Sequence, residues 1–416
     1  MSHFSVLPEC ESVAQRYSAV SGRGTAANKV ALDKRNHGAI AVVGGSAAGF
    51  FAASLLARGG CCVRVFERIE TLEPASRTLI VTNRMRGLLG RAAERSVVNE
   101  IRRFELFTDG RCATITLNQP DLIIERRALI QALAEEAEQA GASVELGSSF
   151  HALHSDQKGI GVEIERAAGG GRELVRARTV VGADGAASRV AREAGWPPLE
   201  TLPLVQAIVP LPQDMAPDSA RIWFIPHETP YFYWLIPESA SRGALGLIGE
   251  HGPGTAKRLE EFLERRGLSP IEFQAARVPV YSPWVPFERT VGGGRVYLVG
   301  DAAGQVKVTT VGGIVTGFRG AIGVAQAILS GAGAELRRLR RELNSHLLVR
   351  RSLRHFQQPD YSRLVDLLND PAKQSLSQYS RDDAWKMLWH VCLRQPKLVL
   401  LGIRGLLMRG RSRADD

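Results

Sequence analysis

Long apolar runs are missing from this chain. None of its segments approaches the roughly 18–20 consecutive apolar residues that a membrane-spanning helix requires. The first 36 residues carry His3, Glu9, Glu11 and Arg16, and they read as neither a secretion signal nor a span. Ser18–Arg35, rich in Gly, Ser and Ala, reads as a loosely held lead-in. Cysteine is also scarce. Cys10, Cys61, Cys62, Cys112 and Cys392 show neither metal-site spacing nor a disulfide scaffold, so a reducing cytosol and no metal are expected. Cys61 and Cys62 fall in an apolar strand and are expected to be buried thiols. Aromatic residues make up only 6% of the chain, so a local cluster of them carries information.

Acidic residues are outnumbered, and the net charge of +10 is unevenly spread. Residues 331–416 hold 17 Lys or Arg against 9 Asp or Glu, with Arg337–Arg338–Leu339–Arg340–Arg341 and Arg350–Arg351 the densest clusters. Such a surplus suits a solvated helical surface, anionic lipid headgroups or a phosphorylated substrate. No recognition module or aromatic-interleaved basic sheet accompanies it, so nucleic acid is not an expected partner.

At 416 residues the chain is long enough for two or three structural units. Ala39–Val43 reads as a strand, Phe50–Ala57 as a helix stopped by Gly59–Gly60, and Val63–Phe66 as the next strand. Between them lies Gly44–Gly45–Ser46–Ala47–Ala48–Gly49. Gly44 serves the tight turn, Gly49 close helix–strand packing, and a small residue at position 46 the approach of a pyrophosphate to the helix N-terminus. Glu67, 18 residues after Gly49, is placed to bind an adenosine ribose. A second glycine-rich turn, Gly300–Asp301–Ala302–Ala303–Gly304, follows the strand Arg295–Val299 and precedes Gly312–Gly313 at a helix start. Two such turns at opposite ends of the chain point to one elongated cofactor held at both ends, FAD.

The intervening chain divides by texture. Phe107–Leu117 and Ile123–Ile124 read as strands, Arg127–Ala140 as an amphipathic helix with Leu129, Leu133 and Ala137 on one stripe, and Gly169–Gly171 as a hairpin turn. From 201 to 285 short apolar runs alternate with prolines, the pattern of an inserted antiparallel sheet. Its aromatics, Trp223, Phe224, Tyr231, Phe232, Tyr233 and Trp234, are expected to wall an apolar cavity. Helices are expected at 334–355, 361–369 and 382–407, the last broken by Pro396. The domain division is therefore 1–36 extension, 37–200 first cofactor-binding part with a strand excursion near 104–118, 201–285 substrate sheet, 286–332 last cofactor-binding part, and 333–416 basic helical region.

These motifs resemble those of FAD-dependent oxidoreductases of the aromatic-hydroxylase type, and within them the geranylgeranyl reductase family. The resemblance runs over residues 38–408. It rests on Gly44–Gly49 with Glu67, on Arg126–Arg127–Ala128–Leu129, on Gly182–Ala183–Asp184–Gly185, and on Gly300–Asp301–Ala302–Ala303–Gly304–Gln305–Val306–Lys307 followed by Thr309–Ile314. Tyr233–Trp234–Leu235–Ile236–Pro237 resembles the reductases' aromatic signature and, in part, an element of flavin-dependent halogenases. Halogenases carry a lysine soon after the first βαβ unit, whereas no lysine follows Lys34 here until Lys158. The Cys–Gly pair of many reductases is replaced by Pro74–Ile80.

The resemblance implies an α/β fold, with a Rossmann-like FAD-binding domain, an inserted antiparallel sheet and a helical C-terminal region. It implies that Gly44, Gly45, Ser46, Ala48, Gly49, Glu67, Arg68, Arg126, Asp184, Gly300, Asp301, Gly304, Gly312 and Gly313 bind FAD, with Asp301 on the ribityl chain and Gly312–Gly313 toward the flavin pyrimidine edge. Trp223, Phe232 and Trp234 would line the substrate cavity. Tyr231, Tyr233 and His227 are the candidates to supply a proton. The expected reaction is hydride transfer from reduced flavin to a carbon–carbon double bond of an apolar, prenyl or lipid-like substrate. A monooxygenase acting on an apolar aromatic or polyene is the alternative, and a non-redox flavin scaffold or isomerase a third. Electrons would come from NAD(P)H or an external reductant, such as a flavin- or ferredoxin-type donor. The expected location is the cytoplasm, with peripheral contact on the inner face of an anionic membrane.

Overall fold

The computed structural model describes residues 39–407 apart from 168, 170, 251–253, 284 and the side chain of Ala384. The expected N-terminal extension, Cys10 and the last basic residues, Arg409, Arg411 and Arg413, lie outside the described residues.

Three sheets organise the chain. The first runs, edge to edge, β16 (Glu288–Val291), β17 (Gly294–Leu298), β10 (Thr179–Gly182), β1 (Ala39–Val43), β2 (Cys62–Phe66) and β6 (Ser143–Glu145). It is parallel except for the edge strand β16. Its central strands are buried on both faces, which is why β1 is a continuous apolar run rather than an alternating one. Ile40 and Val42 face the helices α1 (Ala47–Arg58), α4 (Arg126–Gln139) and α7 (Ile314–Ser330). Ala41 and Val43 face the small antiparallel sheet β7 (Ser148–Asp156), β8 (Gly159–Arg166), β9 (Arg172–Ala177), where the predicted hairpin is found. Leu129, Leu133 and Ala137 are buried along α4 as the periodicity predicted, and Glu125 caps this helix by accepting the Ala128 N–H at 2.7 Å. Cys61 is buried but Cys62 is exposed at the start of β2, so only one of the adjacent thiols is in the core.

The large second sheet is ordered β15 (Glu272–Pro279), β11 (Thr201–Pro210), β14 (Arg242–Ile248), β13 (Tyr233–Pro237), β12 (Ser219–Trp223), β4 (Val97–Thr108), β5 (Arg111–Glu125), β3 (Thr78–Val81). It is antiparallel except where β4 meets β12. Residues 201–285 alone do not complete it, because β3, β4 and β5 come from the part assigned to cofactor binding. The expected single strand around Gly110 is instead a hairpin. Asp109 and Gly110 have φ of 42° and 74°, the left-handed pair that a tight two-residue turn demands.

Short helices α2 (Arg84–Leu89), α3 (Arg91–Ser96) and α5 (Arg189–Glu193) join these layers, and α6 (Gly254–Arg266) covers one face of the large sheet. The other face lies under the C-terminal helices α8 (Ala334–Leu353), α9 (Gln358–Asp366), α10 (Asp370–Gln378) and α11 (Ala384–Arg394), with α12 (Lys397–Leu407) packed against α8. The predicted helix over 361–369 starts earlier and ends sooner, as α9, because Asn369 caps a new helix, α10, with Pro371 in its first turn. The break at Pro396 is where the sequence placed it.

Candidate active site

The first glycine turn is built by contacts that exclude side chains. Gly44 has φ of 104°, and a Cβ there would stand 2.5 Å from the Ala183 carbonyl oxygen. Ser46 is more than a small residue. Its Oγ accepts the Gly49 N–H at 3.1 Å and caps α1, whose first turn contains no acidic side chain. Glu67 clasps this turn, its two carboxylate oxygens accepting the Gly45 N–H at 2.5 Å and the Ile69 N–H at 3.1 Å. Arg68, next in sequence, is exposed.

Asp301 sits on the second turn, between Gly300 and Gly304 at φ of 62° and 61°, and lines a cavity of about 520 Å³. Burial pushes its carboxyl above the usual carboxylate range, and the guanidiniums of Arg77 and Arg126 pull it back. Both arginines line the same cavity, and burial lowers both. The Nε of Arg77 is buried with no hydrogen-bond partner among the described residues. Two desolvated cations and a carboxylate thus surround an open space that also touches Ser46 and Ala48 at the N-terminus of α1. These donors suit a ligand with both phosphates and hydroxyls. Arg77 carried no motif in the sequence and was missed.

Of the predicted cofactor residues, Ser46, Ala48, Arg126, Gly300, Asp301, Gly312 and Gly313 line this cavity. Gly44, Gly45, Gly49, Glu67, Arg68, Asp184 and Gly304 do not. Most of these shape the turns from behind. Asp184 is the clearest case, since its carboxylate accepts the Ser188 hydroxyl at 2.5 Å and the Arg189 and Val190 N–H groups at 2.7 and 3.1 Å. It holds the start of α5, while Ala183 and Gly185 on either side of it face the cavity.

The cavity continues over the large sheet, walled by Phe104, Leu106, Ile222, Phe224, Phe232 and Trp234. Tyr231 is also in the wall, under the Arg350 guanidinium. Trp223, Tyr233 and His227 are not there. In the β12–β13 ladder Ile222 pairs with Trp234 on the cavity side, so Trp223 and Tyr233, paired one residue on, point to the opposite face. There Trp223 stacks on Phe107 at 5.6 Å, and Tyr233 stacks on Phe262 of α6 at 4.2 Å and donates to Glu228 at 2.6 Å. His227 is exposed beside Glu228, 3.7 Å away.

Sequence reasoning also missed a polar group of residues at one end of the cavity. Lys307 pairs with Asp382, which also accepts the Thr82 hydroxyl, and Arg381 pairs with Asp121. His346 Nδ1 lies 2.7 Å from the Thr309 hydroxyl, while its Nε2 is buried without a partner among the described residues. Burial, with Lys307 nearby, lowers the imidazole to about 3, so it is neutral at physiological pH. Burial opposes the charge of Asp382, but Lys307 and Thr82 outweigh it and hold the carboxyl at about 2. No local pattern links Lys307 to a partner 75 residues away, so the sequence carried no signal for this pair.

The FAD binding domain family model matches residues 38–333. Digeranylgeranylglycerophospholipid reductase 1 of Methanopyrus kandleri is 32% identical over 303 residues, 67% of this chain and 76% of that protein. The chain belongs to the geranylgeranyl reductase family. It is an FAD-dependent oxidoreductase. Its fold matches that of a geranylgeranyl bacteriochlorophyll reductase-like protein from Thermoplasma acidophilum, with a TM-score of 0.71 and 19% identity over 88% of this chain and 99% of that one. A p-nitrophenol 4-monooxygenase from Pseudomonas putida shares the fold more distantly, with a TM-score of 0.57 and 17% identity over 89% and 98% of the two chains.

Proposed function

We propose that this geranylgeranyl reductase-family protein reduces carbon–carbon double bonds of a prenyl-like lipid. The observation that carries the reading is the continuity of the cavity, in which Asp301, Gly312 and Gly313 share one space with Phe232, Trp234 and the apolar face of the large sheet. FAD supplies the hydride chemistry when bound. The chain's part is placement. Arg77, Arg126 and the N-terminus of α1 would hold the FAD phosphates, with Gly44, Gly45, Gly49, Glu67, Asp184 and Gly304 keeping the turns in shape. Asp301 would take the ribityl hydroxyls. Phe232 and Trp234 hold an apolar chain in a space from which they exclude water. Tyr231 supplies the proton. Burial is the dominant influence on its phenol and raises it above the ordinary tyrosine value, against the opposing pull of the Arg350 guanidinium. Electrons arrive from NAD(P)H or an external reductant.

The protein works at the surface of an anionic membrane, from the cytoplasmic side. Among the described residues no helix is long and apolar enough to cross a bilayer. Residues 384–407 nevertheless expose Trp385, Trp389, Leu393, Leu400, Ile403 and Leu407 and contain Lys386, Arg394, Lys397 and Arg404 with no Asp or Glu. The inner side of α11 supplies Met387 and Leu388 to the cavity wall, which favours substrate entry from the lipid side.

Turnover of a lipid extract with reduced FAD, with and without oxygen, tests the reading by product mass. A product heavier by two hydrogens in the absence of oxygen is expected. A product heavier by one oxygen atom, formed only in air, would replace the reductase with the monooxygenase reading.

A further inference from the structure

We propose that Lys307 places a fixed positive charge against the flavin pyrimidine edge and makes bound FAD easier to reduce. The inference rests on the FAD site and not on the choice of substrate. The loop from Lys307 to Gly312 is closed on itself. The Lys307 N–H donates to the Gly312 carbonyl at 3.1 Å, and the Lys307 carbonyl accepts the Val311 N–H at 2.7 Å. This closure folds the lysine side chain back beneath Gly312. A Cβ built on that glycine would lie 3.4 Å from Lys307 Cε and 3.8 Å from Nζ. The ammonium therefore stands beside the backbone that opens α7, where the helix terminus adds positive partial charge of its own.

The ion pair is oriented. Lys307 is in the cavity wall, and Asp382 lies behind it with a side chain 0% exposed. The positive end of the pair therefore faces the cavity, in a place where little water screens it. Beyond Asp382 the neighbouring charges have partners of their own, Asp301 beside Gly313 facing the guanidiniums of Arg77 and Arg126. Arg381 is paired with Asp121, Glu342 with Arg319, and His346 is neutral. Reduction adds negative charge to the flavin, so a cation at this edge favours the reduced form.

The test is the two-electron midpoint potential of bound FAD, measured against reference dyes without substrate, in the wild type, Lys307→Met and Lys307→Arg. Lys307→Met is expected to lower the equilibrium constant for reduction about tenfold, which for a two-electron couple is about 30 mV. Lys307→Arg is expected to stay much closer to the wild type. Removing one partner of a buried pair can unfold a protein. The double variant Lys307→Met/Asp382→Asn removes both partners, and a fall in the same direction is expected there. An unchanged potential in a folded, FAD-loaded variant that lacks the lysine would overturn the proposal. So would an equal fall in Lys307→Arg, because the charge would then not be the cause.

Discussion

The Arg350 guanidinium lies over the ring of Tyr231, 3.7 Å from its centroid, and donates to the Pro230 carbonyl at 2.8 Å. It thereby pins α8 to the segment leading into β13 and fixes the phenol in the cavity wall. Tyr231→Phe should keep FAD and stability but slow turnover on the order of 100-fold, the low end of what a positioned general acid contributes. Tyr233→Phe loses only the bond to Glu228 on the far face and should cost about 1 kcal/mol of stability with turnover unchanged. Steady-state rates and denaturant unfolding of both variants check this.

Asp301→Ala should weaken FAD binding far more than Glu67→Ala. Asp301 stands in the cavity wall between two desolvated arginines, so its loss removes ligand contacts and takes from Arg77 the carboxylate that offsets its burial. Glu67 bonds to backbone behind the turn, and its removal loosens Gly45 without removing a direct contact from the wall. Titration of the two apo variants with FAD is the measurement. Equal losses would show that the two ends of the cofactor have been misassigned.

Trp234→Ala and Phe232→Ala should cripple turnover while FAD occupancy holds. Trp223→Ala should instead destabilise the fold by about 3–5 kcal/mol, the usual cost of emptying a core site. Its ring is packed between Phe107 and Phe262 on the face away from the cavity. Thermal unfolding and flavin absorbance, read together, separate the two outcomes.

His346 makes stability depend on pH in a defined direction. Its folded value of about 3 lies below the ordinary histidine value of about 6.5, so between these limits the unfolded chain binds a proton that the folded one refuses. Stability should therefore fall as pH drops below 6.5, by about 1.4 kcal/mol per pH unit from this group. Asp382 adds a second loss below about 4, because its carboxylate is held at about 2 in the fold. His346→Gln should flatten the curve between pH 6.5 and 4 when melting temperature is followed against pH.

The membrane contact should be peripheral and salt-sensitive. Full-length protein is expected to sediment with anionic vesicles at low salt and to be released at high salt, since each basic residue near such a surface contributes about 1 kcal/mol. Trp385→Ser/Trp389→Ser and a form truncated after Pro396 should both bind less. Sedimentation with zwitterionic vesicles is the control. Indifference to anionic vesicles at low salt would make α11 and α12 a purely structural cover.

The cofactor-binding half was legible because its determinants are local. A glycine that must adopt φ of 104°, a serine that caps the next helix and an aspartate on a tight turn all leave their mark within a few residues of sequence. The apolar run of β1 and the stripe of α4 are local in the same sense, since burial on both faces and burial on one face write different periods. The substrate side was legible only in composition. The density of aromatics between Trp223 and Trp234 marked the right strands, but which of them meet the cavity depends on strand register. One ladder, pairing Ile222 with Trp234 and Trp223 with Tyr233, turned two of the expected site residues to the opposite face. The contributions of Arg77, Asp382 and His346 depend on segments far apart in the chain meeting over one cavity. Ion pairs and desolvation act through space, so only the tertiary structure could decide them.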